Sequence, residues 1–147
     1  MAGKSDAYEY NFLRQTFNGT AITNISATAG TTVIWLAALT ADPGDAGSTA
    51  AEGGYTAYAR VATQRSTSGW SVTSGTSAAN ATAAPAATVS FAQVATTSTG
   101  TFTHFMLFPS SAAQASSGLY FGTVSPNINF SQNVTPQLTT SSSITED

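Results

Sequence analysis

Apolar and polar positions follow the two-residue period of β-strands over most of this chain, interrupted by turn residues every 8–20 positions. Thr31–Thr40 is apolar on both alternations, which predicts a strand buried on both faces. Asp42-Pro43-Gly44-Asp45 then predicts a turn, because proline fixes φ and glycine accepts positive φ. A small-residue loop follows over Ala46–Gly54, and Tyr55–Thr63 reads as a strand. Ser66–Gly69 is a turn, and Gly69–Thr73 a short strand led by Trp70. Ser74–Ala87 is alanine-rich, but Thr, Asn and Pro85 argue against a helix, so it reads as an extended edge strand or a long loop.

Thr88–Val94 alternates again. Gly100–Phe108 is the strongest strand signal, with Phe102, His104, Met106 and Phe108 expected on one face. Pro109–Gly118 reads as a loop. Leu119–Val124, Asn127–Phe130 and Val134–Thr139 read as three short strands with Pro126 and Pro136 near their ends, and Ile144 is the last apolar residue.

The one helical pattern lies at the start. Ser5–Phe17 places Phe12, Leu13 and Phe17 behind Tyr8 and Tyr10, with Ser5 or Asp6 able to cap and Asn18-Gly19 to stop the helix. The expected architecture is all-β: a single-domain jelly roll or β-sandwich over residues 18–147, preceded by a short helical segment over residues 1–17. A chain of 147 residues fits one domain.

Composition sharpens the picture. Charged residues are 7 % of the chain, against roughly 25 % in an ordinary soluble domain. Serine and threonine together number 44 and alanine 26. A surface of hydroxyls and small apolar groups is weakly hydrated and suits packing within an assembly. The four basic residues are too few to neutralise a phosphate backbone, so no nucleic-acid partner is expected. No apolar run is long enough to span a membrane, and Met1–Tyr10 lacks the apolar core of a signal peptide, so synthesis in a host cytoplasm and no membrane partner are expected. Cysteine is absent, which excludes disulfides and thiolate metal sites.

Charge is distributed unevenly as well. Between Arg65 and Glu146 there is no Lys, Arg, Asp or Glu. More than half the chain therefore lacks general acids, general bases and hard-metal ligands, and no enzyme activity, cofactor or metal is expected. Asp42, Asp45 and Glu52 fall short of a calcium loop and read better as a capped, solvated turn. His104 has no partner histidine or cysteine for a metal and reads as a hydrogen-bonded core residue. No G-x-S-x-G and no glycine-rich phosphate loop occurs. Glu9, Asp42, Asp45 and Glu52 could supply paired carboxylates, but nothing singles out a pair. The sequons at Asn18, Asn24, Asn80, Asn129 and Asn133 are expected by chance in so hydroxyl-rich a chain. Among the aromatics, Trp35 reads as core. Trp70, Tyr55 and Tyr58 flank turns, where they could form a sugar-stacking platform or an interface anchor, with ordinary core packing as the plainer alternative. Together with Tyr8, Phe12 and Phe17 they make up the candidate interface residues.

Several stretches carry a family resemblance. They are Phe17-Asn18-Gly19-Thr20-Ala21, the run Trp35–Gly44 with Gly47 beyond it, Gly54-Tyr55, Tyr58-Ala59-Arg60, Gly69-Trp70 and Val89-Ser90-Phe91. Thr103-His104-Phe105, Leu119–Gly122, Val134-Thr135-Pro136 and Ile144–Asp147 complete the set. In this order they resemble a family of small tailed-bacteriophage virion proteins, some tail-fibre-like and some similar to capsid cement proteins. Ser74–Ala87 and Pro109–Gly118 are longer and blander than that pattern. The resemblance implies a virion structural protein with a jelly-roll-like fold and no catalysis.

The leading expectation is a decoration (cement) protein on the outer capsid surface, bridging subunits of the major capsid protein and forming a homotrimer suited to local threefold positions. The alternative is a tail-fibre or adsorption-apparatus subunit with a capacity for carbohydrate binding.

Overall fold

The computed structural model of the chain describes residues 3–5, 8, 10, 12, 33–73, 81–112 and 118–146. These form ten strands: β1 (Gly3–Lys4), β2 (Val33–Leu39), β3 (Val61–Gln64), β4 (Trp70–Thr73), β5 (Ala81–Pro85), β6 (Val89–Ser90), β7 (Gly100–Phe108), β8 (Tyr120–Phe130), β9 (Gln137–Leu138) and β10 (Ile144–Glu146). Every pairing is antiparallel. The main sheet has five strands in the order β1-β8-β7-β2-β3, and the smaller sheets are β10-β5-β4 and β6-β9. The fold is an antiparallel all-β sandwich.

Strand β2 sits between β7 and β3 and is buried on both faces, as its unbroken apolar run predicts. Leu36 and Ala38 point to the larger core, Ala37 and Leu39 to the smaller one. The larger core lies between the main sheet and the small sheets. It joins Phe102, Phe105 and Leu107 of β7 and Val124 and Phe130 of β8 to Trp70, Val89 and Leu138 from β4, β6 and β9. The smaller core, on the other face, holds Ala37, Leu39, Met106 and Phe108.

Phe102 and Met106 thus face opposite ways, which corrects the expectation that Phe102, His104, Met106 and Phe108 share a face. The cause is a register break. Phe102 pairs with Ile128, but His104 pairs with Thr123, so Thr103 alone stands opposite the stretch from Val124 to Asn127. Strand β8 keeps its alternation through this bulge, with Tyr120, Val124, Ile128 and Phe130 all on the larger core. Strand β7 changes phase instead. Pro126 lies inside the bulge, where its missing N–H interrupts no ladder pairing. Leu119–Val124 and Asn127–Phe130, expected as two strands, are therefore joined in β8.

Other expectations shift with local chemistry. Tyr55–Thr63 is not one strand. Gly53 and Gly54 take φ of 80° and 136°, the Tyr58 N–H bonds the Tyr55 carbonyl at 3.1 Å, and pairing begins only at Val61. Within Ser74–Ala87, Ala81–Pro85 is the central strand of its sheet rather than an edge, because β10 returns to pair with it on the side away from β4. Residues 74–80 and 113–117 of the expected loops lie outside the described residues. Thr88–Val94 and Val134–Thr139 contract to the two-residue strands β6 and β9, which pair with each other.

Of the helix expected over Ser5–Phe17, only Ser5, Tyr8, Tyr10 and Phe12 are described, the last three with helical backbone. Its extent, and the boundary drawn between residues 17 and 18, fall outside the described residues.

Candidate functional site

The candidate interface residues divide into two groups. Tyr55, Tyr58 and Trp70 belong to the larger core and present no exposed platform. Tyr55 is buried, donates its hydroxyl to the Ala92 carbonyl at 2.7 Å, and packs its ring against Phe130 at 5.4 Å. Trp70 is buried too. Its indole N–H donates to Thr63 Oγ1 at 3.0 Å, and that hydroxyl donates to the Ile34 carbonyl at 2.9 Å. Tyr58 stacks on Phe91 with 17° between the planes and a centroid separation of 5.9 Å. Turns bring these aromatics inward because their polar tips find partners at the sheet edge while their rings fill the core.

Tyr58 links that core to the most developed polar cluster among the described residues. Its hydroxyl accepts the Ala38 N–H at 2.8 Å and donates to Glu52 Oε1 at 3.3 Å. Burial is the main reason its ionisation is pushed above the usual 10.0. The Ala38 N–H pulls the other way, and the Glu52 carboxylate pushes it up further. Burial raises Tyr55 as well. Glu52 is held by Arg60 through two bonds, Nε to Oε1 and Nη2 to Oε2, each 2.7 Å. The guanidinium lies 3.7 Å over the Phe108 ring, and its remaining nitrogen donates to the Ser111 carbonyl at 3.4 Å.

This cluster closes one edge of the main sheet. Strand β3 leaves β2 after Val61 pairs with Leu36. From there the segment Ala51–Gly53 continues the edge, with Gly53 N–H bonded to the Ala38 carbonyl at 3.0 Å and Thr40 N–H to the Ala51 carbonyl at 2.9 Å. The sequence pattern offers Glu52 as a metal ligand, a catalytic acid or part of a solvated turn. Its pairing with Arg60, eight residues on and across two glycines, was missed. The available signal was that Glu52 and Arg60 are the two charges of the otherwise uncharged stretch Ala46–Gln64.

Of the remaining acidic candidates, Glu9 lies outside the described residues and Asp42 serves the turn. Asp42 Oδ1 accepts the Gly44 N–H at 2.8 Å, and its other oxygen lies 3.9 Å from His104 Nε2. His104 Nδ1 meets Thr103 Oγ1 at 2.8 Å. Among the described residues no three His, Asp or Glu side chains converge as a metal site would require.

Tyr8 and Phe12 lie at the opposite edge of the main sheet, on the N-terminal arm. Lys4 pairs with Tyr120 and Gly3 with Phe121, so the arm forms the outermost strand beside β8. Ser5 fixes it: its N–H bonds the Leu119 carbonyl at 3.1 Å, its hydroxyl donates to the Gly118 carbonyl, and Oγ accepts the Tyr8 N–H at 3.3 Å in the capping manner expected of it. Tyr8 packs on Tyr120 at 5.2 Å and on Phe12 at 6.5 Å. Tyr10 and Phe12 are exposed. Phe17 lies outside the described residues. Nothing in the sequence pattern linked the arm to β8, since the pairing joins segments more than a hundred residues apart.

Residues 3–143 match the family model for the podophage GP4 fiber I protein gp80. The chain belongs to this family. The resemblance to tailed-phage virion proteins read from its motifs therefore holds at family level, and this gp80-family chain is a bacteriophage structural protein of the fibre-like kind, located in the virion. Among curated proteins, no match to it is found.

Proposed function

We propose that the chain is a structural subunit of the podophage fibre apparatus that works by packing against other virion protein and has no catalytic activity. The family match over residues 3–143 carries this reading, because the family is named for a fibre protein. It favours the fibre over the decoration of the outer capsid that the sequence first suggested. Composition supports the same reading. The chain is free of charge from Ser66 to Thr145, so its β-surfaces offer hydroxyls, amides and small apolar groups that lose little hydration on meeting another protein.

Copy number per virion tests the proposal, by quantitative mass spectrometry against the major capsid protein. A fibre subunit is expected at a small fraction of the capsid protein's abundance. Near-equal abundance overturns the fibre reading in favour of decoration. Absence from purified particles overturns both.

A further inference from the structure

We draw no further inference here: the strongest candidate, the outer edge of the three-stranded sheet at the exposed Val72 on β4, is unpartnered among the described residues, and nothing in the structure shows what covers it.

Discussion

Arg60 holds Glu52 by both carboxylate oxygens, at 2.7 Å each, while its guanidinium lies over the Phe108 ring. Both side chains are largely covered, at 11 % and 14 % exposure, so each charge depends on the other. Arg60→Met leaves a buried carboxylate unpaired and is expected to cost about 3 kcal/mol in urea denaturation. Replacing both residues, as Arg60→Met with Glu52→Leu, removes the stranded charge and is expected to cost clearly less than the sum of the single changes. Simple additivity would show that the pair is not coupled.

Alkaline pH is expected to destabilise the protein through the tyrosines. Burial holds the Tyr58 hydroxyl above 10.0 in the folded chain, so the unfolded chain loses its proton first. The stabilising contribution is complete below the unfolded value and declines as pH rises past it. Thermal melts between pH 8 and pH 11, roughly spanning the ordinary tyrosine range, are expected to fall steeply at the upper end. Tyr58→Phe removes part of that slope. It also strands the Ala38 N–H, at a cost of about 1–3 kcal/mol near neutral pH.

Two glycines separate the effects of space and of backbone angle. A Cβ at Gly69 would stand 2.0 Å from the Gln64 carbonyl oxygen, so Gly69→Ala must push apart the turn that joins β3 and β4. Gly44 has φ of 63° and open space around it, so Gly44→Ala meets only the left-handed penalty of about 1–2 kcal/mol. Gly69→Ala is expected to lower the denaturation midpoint more, and the reverse order would contradict the described turn.

Phe102 is fully buried where β7 changes phase, packed on Phe130 at 4.7 Å. Phe102→Ala is expected to cost about 3–5 kcal/mol. Val72→Thr, at a position 73 % exposed on β4, is expected to change stability by no more than about 0.5 kcal/mol. The contrast is read in one series of chemical denaturation curves.

The β class and the bounds of Gly100–Phe108 were legible because local alternation alone determines them. The facing of that strand was not. It turns on a register break opposite Val124–Asn127, and register belongs to two strands at once. Pro126 misled for a related reason: proline ends a strand only where the ladder needs its N–H. Tyr55, Tyr58 and Trp70 looked accessible because they flank turns, yet each turn folds its ring inward and finds a partner for its polar atom. The seat of the arm stayed hidden because Ser5 and Gly118 meet only through the fold. The tailed-phage virion family was legible in motif order along the whole chain, a signal independent of any single contact, but that order pointed first to capsid decoration and the family match points to the fibre.

The phase change at Thr103 also bears on how the sheet responds to force. In a regular ladder a strand can slide by two residues and keep every side chain on its proper face. Here β7 sends Phe102 to the larger core before Thr103, and after it sends Phe105 and Leu107 to the larger core and Met106 and Phe108 to the smaller one, with the Val124–Asn127 bulge seated against the crossover. A slide of any length unseats the bulge and drags side chains out of both layers together. The central pair of strands thus behaves as a toothed joint, stiff to shear along its length.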